Sequence, residues 1–87
     1  MTNFDVATKA REMCAASPAL KEEMQVSWNL ICDRIEKRAI ERKPKPKSFE
    51  VHHECEVARL AFLKAIVEGI APEAARVLAA NAVGIEW

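Results

Sequence analysis

Two prolines placed two residues apart, Pro44 and Pro46, interrupt the chain near its midpoint. Proline has no backbone N–H and disfavours helical geometry in the residue before it, so a helix cannot pass through Lys43–Lys47. On each side of this connector, a run of more than twenty residues contains neither proline nor glycine. The chain is therefore expected to form two long segments joined by a short extended connector.

The composition favours helices on both sides of the connector. The 87 residues include two glycines and no tyrosine, while hydrophobic residues make up 51% and charged residues 30% of the chain. Tight hairpins depend on glycine, and strands favour β-branched and aromatic residues, so a strand-rich fold is poorly supplied. A chain of this length forms one compact unit. We therefore predict a single all-α domain over residues 1–87.

Local start and stop signals predict four helices. Ser17 followed by Pro18 is typical of an N-cap and a first helical residue, and Ser48 is placed to cap the helix after the connector. Gly69 and Gly84 can adopt the left-handed conformation that ends helices. In the order short, long, long, short, the helices are expected over Asn3–Ala16, Pro18 to about Arg42, Phe49–Glu68 and Pro72 to near Gly84.

The apolar residues of the two long helices predict how these helices pair. In the second helix they follow steps of three and four: Leu20, Met24, Trp28, Ile31 and Ile35. A short connector makes its flanking helices antiparallel neighbours, and folding the chain near Lys45 pairs residues whose numbers sum to about 91, which places Trp28 beside Leu63. Residues 57–67 are apolar on nearly every side and need more than one partner helix. We expect an irregular four-helix bundle around this hairpin, with Trp28 in the core and a charged tip.

A basic segment at residues 34–47 carries the strongest local charge in a chain of zero formal net charge. Two acidic residues accompany seven basic ones, a local net charge of +5; the basic residues are Arg34, Lys37, Arg38, Arg42, Lys43, Lys45 and Lys47. Such a cluster can bind nucleic-acid phosphates or steer a protein partner, although no aromatic residue interleaves it. The acidic stretch Ser48–Glu56 would lie beside it, so a solvated, partly self-paired helix end is a third interpretation.

Candidate metal ligands concentrate at His52–Glu56. On a helix, His52, Cys55 and Glu56 share one face, where three donors can meet one metal ion. A structural zinc site needs four ligands, and neither the zinc-protease pattern nor the deaminase cysteine pattern is present. Cys55 and His52 are also spaced as a nucleophilic pair, but no glycine-rich loop accompanies them to form an oxyanion hole. We therefore predict no enzyme and no cofactor.

A second candidate surface is apolar. Val26 and Leu30 lie off the main apolar stripe of the second helix, and Ile85 and Trp87 form an apolar tail. A compact monomer does not cover all of these residues. We therefore expect a protein partner or a homodimer at Val26, Leu30 and Trp87.

Targeting signals and cysteine spacing bear on the compartment. The odd, widely spaced cysteines do not form a disulfide framework; they are Cys14, Cys32 and Cys55. The sequence lacks a signal-peptide pattern, and its longest low-charge run, residues 57–71, is too short to span a bilayer. We expect a cytoplasmic protein with reduced cysteines and no membrane contact.

In the stretch Glu54-Cys55-Glu56-Val57 and the histidines before it, the chain resembles short, uncharacterised proteins encoded by bacterial phages and prophages. The likeness covers about the last 35 residues. The resemblance implies a small helical accessory protein that binds and occludes a host macromolecule, and anti-CRISPR proteins are among the kinds it suits. It supplies no site residues, and the alanine-rich fourth helix departs from the more charged ends of that group. The expected function is non-enzymatic binding of a host protein; a nucleic-acid-binding accessory protein using residues 34–47 is the alternative.

Overall fold

Residues 2–87 are described by a computed structural model, and Met1 lies outside them. The described residues form four α-helices and no strand, so the predicted all-α bundle is confirmed. Each predicted helix begins and ends within two residues of the observed bounds. In chain order, the helices are α1 at Asn3–Ala16, α2 at Pro18–Glu41, α3 at Ser48–Val67 and α4 at Pro72–Ala82.

The starts of α1 and α2 follow from their capping residues. The Thr2 hydroxyl accepts a hydrogen bond from the Asp5 N–H, and the Asp5 carboxylate accepts one from the Thr2 N–H, both at 3.1 Å. This reciprocal pair is a capping box. The Ser17 hydroxyl accepts from the Leu20 N–H at 3.2 Å, and Pro18 begins α2 as predicted. Both starts therefore satisfy backbone donors that a helix leaves unpaired.

The ends that flank the connector differ slightly from the sequence-based bounds. Ser48 was expected to cap α3, but it is already the first helical residue and Lys47 is the N-cap. The Glu50 carboxylate accepts from the Lys47 N–H at 3.2 Å, and the Glu50 N–H donates to the Lys47 carbonyl rather than to a hydroxyl. Arg42, expected inside α2, is its C-cap and has extended backbone. The Lys43–Pro44 peptide bond is cis.

The two glycines end α3 and α4 in the same way. Gly69 has φ +91° and Gly84 has φ +77°, values that residues with a side chain rarely adopt. In both cases the N–H of the following residue, Ile70 or Ile85, donates to a carbonyl five residues earlier. This Schellman motif turns the chain back onto the helix and brings an apolar residue inward. Ile85 is consequently 9% exposed, so the predicted apolar tail beyond Gly84 is wrong.

The core forms around α3, which contacts all three other helices and packs most extensively against α4. Small residues on α4, Ala75 and Ala79, have no exposed surface and allow this close approach. The largest side chains with almost no exposure are Ile31, Ile35 and Ile66. The prediction that residues 57–67 need several partner helices is confirmed.

The register of the α2–α3 hairpin agrees with the sequence. The Trp28 ring centroid lies 6.3 Å from that of Phe62, which is one residue before the predicted partner Leu63. Arg38, ten residues after Trp28 on α2, pairs with Glu54, which precedes Phe62 on α3. These two pairs require antiparallel helices. Trp28 packs against the core but is only half-buried, because a groove between α1, α2 and α3 opens beside it. Phe62, at 2% exposure, holds the core position that was expected of Trp28.

The described residues are elongated, with principal extents of 43 × 23 × 16 Å. The 24 residues of α2 span about 36 Å at 1.5 Å per residue. This helix therefore runs along most of the molecule. No helix within residues 2–87 combines the length and the apolar character needed to cross a membrane.

Candidate interaction surfaces

The outer side of α2 presents two apolar residues one helical turn apart. Val26 is 55% exposed and Leu30 is 39% exposed, whereas Met24 and Ile31 on the inner side are buried. Arg34 continues the outer row one turn further along. The sequence-based expectation that Val26 and Leu30 face outward is therefore confirmed.

Trp87 lies at the far end of this row. The guanidinium carbons of Arg34 and Arg76 lie 4.1 Å and 4.9 Å from the centre of the Trp87 ring, and Arg34 donates a hydrogen bond to the Glu86 carbonyl at 3.2 Å. Trp87 is half-buried rather than part of a free tail. Arg76 also lines a cavity of about 590 Å³ together with Val26. The continuous patch is called the Trp87 surface below; it consists of Val26, Leu30, Arg34, Arg76 and Trp87.

Two residues of the basic segment are used inside the fold. Arg38 and Arg42 both form ion pairs with Glu54, and Arg38 also donates to the Val83 carbonyl at the end of α4. Burial alone would raise the pKa of Glu54, but the hydrogen bonds and positive charges of Arg42 and Arg38 hold it below its ordinary value. The expected neutralisation of the basic segment by the acidic stretch is thus observed at Glu54.

The lysines of the basic segment remain at the surface. In the part of the chain that the structure describes, none of them forms an ion pair; they are Lys37, Lys43, Lys45 and Lys47. The Lys47 ammonium lies 5.9 Å from the centre of the Phe49 ring, and Phe49 is 67% exposed. Ile40, 78% exposed, lies on the other side of the connector. Residues 34–47 contain no aromatic residue, but Phe49 lies immediately beyond that segment and adds an aromatic ring to the tip.

His52, Cys55 and Glu56 do not converge on one point. His52 Nε2 lies 3.0 Å from Glu56 Oε1 on the exposed side of α3, while Cys55 is half-buried and packs against the core. Among residues 2–87, no group of three or more histidine, cysteine or acidic side chains is placed to hold a metal ion. The helical spacing alone does not bring the three side chains together, because Cys55 packs against the core while His52 and Glu56 are exposed.

The electrostatics of the cysteines oppose a nucleophilic role. Burial raises the pKa of the Cys55 thiol, and the charges of Glu36 and Glu54 raise it further. Burial likewise raises the pKa of Cys32, with a further contribution from Cys55. Both groups therefore stay thiols at neutral pH, whereas the thiolate is the reactive form.

No family model, curated protein or solved structure matches the chain. Of the residues singled out from the sequence, Val26, Leu30, Arg34 and Trp87 lie on the Trp87 surface. The lysines form a separate tip at the connector, and Arg38 and Arg42 belong to the fold. Arg76, for which the sequence carries no signal, completes the Trp87 surface.

Proposed function

We propose that the protein is a small non-enzymatic interaction module that binds a host protein through the Trp87 surface. The supporting observation is the row formed by Val26, Leu30 and Arg34, which leads to a tryptophan covered by two guanidinium groups. Exposed apolar patches mark interaction sites, and tryptophan and arginine are the residues most enriched at energetic centres of interfaces. This combination favours a protein partner.

The size of the chain supports an occluding role. A standard interface covers about 800 Å² of each partner, roughly a seventh of the 5880 Å² surface of this protein. This area is sufficient to present such an interface, and we propose that the protein acts by covering a site on its partner. The resemblance to phage and prophage accessory proteins agrees with this role, so we propose an inhibitor acting in the host cytoplasm.

The same surface provides a contact for a homodimer. Val26 and Leu30 lie one turn apart on the exposed side of α2, so two copies can pack these residues against each other around a two-fold axis. We propose that the free protein dimerises in this way and that the host protein replaces the second copy. Dimer and host complex are then mutually exclusive.

We expect the double variant Val26→Asp/Leu30→Asp to remain folded, to become monomeric and to lose its host partner. Light scattering should report a mass near twice 9.7 kDa for the parent and near 9.7 kDa for the variant. Affinity capture from nuclease-treated bacterial lysate should recover a host protein with the parent only. The matched control is Phe4→Asp/Val57→Asp, which adds two acidic residues at exposed apolar positions elsewhere. Equal capture by parent and Val26→Asp/Leu30→Asp would refute the proposal.

A second candidate function is nucleic-acid binding by the tip, because within residues 2–87 its lysines form no ion pair and Phe49 lies exposed beside Lys47. Phosphate binding releases counterions, so the logarithm of the affinity falls with the logarithm of salt by about 0.9 for each phosphate neutralised. The variant Lys43→Gln/Lys45→Gln/Lys47→Gln should therefore bind generic duplex DNA more weakly and with a slope reduced by about 2–3. Arg38 and Arg42 are left intact because they stabilise the fold.

Electrophoretic mobility shifts at several salt concentrations measure this slope. Substituting the lysines Lys9, Lys21 and Lys64 in the same way provides a variant with equal net charge and an intact tip. Parent protein that does not bind duplex DNA at physiological salt, or two triple variants with the same slope, would exclude the tip as a nucleic-acid site.

A further inference from the structure

A groove opens between α1, α2 and α3, on the side of α2 away from Val26. Its volume is about 410 Å³, within the ~300–1,000 Å³ range of small-molecule sites. Apolar side chains line it: Met24, Trp28, Phe62 and Leu63. Cys14 also lines it, with its sulfur 3.5 Å from that of Met24. Thioether and thiol groups adapt to the shape of a ligand, so this wall can accommodate an irregular apolar body.

The rim of the groove is positively charged. Each of the three helices contributes one cation, Arg11 from α1, Lys21 from α2 and Arg59 from α3, and no acidic residue lines the groove. Within residues 2–87, none of the three cations takes part in an ion pair. The groove therefore combines an apolar floor with positive charge that the fold leaves unneutralised. A complementary ligand has an apolar body and an anionic end.

The length of the groove identifies the size of this ligand. On α2 it extends from Lys21 to Trp28, a distance of about 10 Å at 1.5 Å per residue. A three-turn amphipathic helix is about 16 Å long and would extend beyond the groove. A single alkyl chain of medium length matches this length.

We propose that this groove binds a medium-chain carboxylate, with the alkyl chain against Trp28 and Leu63 and the carboxylate between the rim cations. The site is independent of the Trp87 surface. Residues 28 and 26 differ by about 200° around a helix with 3.6 residues per turn, so the two sites lie on opposite sides of α2. The groove gives the protein a ligand of its own, whether or not the host-protein proposal holds.

Isothermal titration calorimetry with decanoate tests the proposal. We expect saturable binding of one decanoate per chain and about tenfold weaker binding by Arg11→Gln/Arg59→Gln, because each exposed carboxylate–guanidinium pair changes affinity by a few-fold. The control Lys9→Gln/Lys64→Gln removes the same charge from exposed positions of the same two helices outside the groove. This control should bind decanoate like the parent.

Two further measurements separate the groove from non-specific adsorption. Decyltrimethylammonium has a chain of the same length and the opposite charge, and it should bind at least tenfold more weakly than decanoate. Ala15→Phe, a substitution at an exposed position of the groove wall, should abolish decanoate binding, while Val26→Asp/Leu30→Asp should retain it. Equal binding of the two surfactants, unchanged binding by Ala15→Phe, or no binding of decanoate at about 1 mM would overturn the proposal. Binding of an acidic amphipathic peptide in place of decanoate would also overturn it.

Discussion

Replacing Phe62 with alanine should destabilise the protein by about 3–5 kcal/mol, the usual cost of removing a buried aromatic side chain. Phe62 is 2% exposed and lies on α3, the helix that contacts all the others. A cavity at this position is bounded by several helices and cannot close by moving one of them. A domain of this length has a total stability of about 4–13 kcal/mol. Phe62→Ala therefore removes a large share of the stability, and urea unfolding followed by far-UV circular dichroism measures it.

Phe4→Ala is the matched control, because it removes the same side chain at a position that is 74% exposed. Its expected effect is below about 0.5 kcal/mol. The loss of stability caused by Trp28→Ala should lie between those of Phe62→Ala and Phe4→Ala, since Trp28 is half-buried and one side of it faces the groove. A Phe62→Ala protein that unfolds at the same urea concentration as the parent would contradict the central position of Phe62. A larger loss at Trp28 than at Phe62 would restore the core position expected from the sequence.

The features that could be predicted from the sequence are those with short-range causes. The Ser17 hydroxyl and the Pro18 ring determine where α2 starts. The Lys43–Lys47 connector determines where the chain reverses direction. Since the connector is short, the register across it follows by counting, and the Arg38–Glu54 pair lies within one residue of where the count places it. None of these features depends on where α1 or α4 packs.

The sequence-based predictions were wrong where the burial or the contacts of a residue depend on the position of a third helix. Trp28 and Phe62 occupy matching places in the hairpin, but only Phe62 is covered completely, and α1 leaves the groove beside Trp28. Arg34 meets Trp87 because α4 returns alongside α2, a long-range arrangement that helical periodicity does not encode. One signal was available in the sequence: an isoleucine directly after Gly84 is typical of a Schellman motif, which brings that residue inward.

The second large effect is expected at Glu54. Its side chain is 17% exposed and accepts hydrogen bonds from Arg38 and Arg42, and Arg38 in turn holds the Val83 carbonyl. Glu54 thereby connects α2, α3 and the end of α4. Glu54→Ala leaves the half-buried Arg38 guanidinium without its anion. Since a hydrogen bond to a charged group contributes about 1.5–3 kcal/mol and Arg42 is well exposed to solvent, we expect a loss of about 1.5–3 kcal/mol at neutral pH.

Glu56→Ala is the control for this substitution. It removes a carboxylate two residues further along the same helix, from an ion pair with His52 in which both side chains are at least 66% exposed. Exposed ion pairs contribute little, so its effect should be below about 0.5 kcal/mol. Equal losses for Glu54→Ala and Glu56→Ala would show that Glu54 has no special structural role.

The dependence of this effect on pH identifies its physical cause. The arginines hold the pKa of Glu54 in the folded protein below the ordinary value of 4.5. A lowered carboxyl pKa contributes stability that is fully present above 4.5 and is lost as the pH falls through the lower folded value. The difference in unfolding free energy between the parent and Glu54→Ala should therefore be largest at neutral pH and should shrink towards about pH 3. Urea unfolding at both pH values measures this difference; a difference that stays constant would mean that packing of the Glu54 side chain, rather than its charge, stabilises the junction of the three helices.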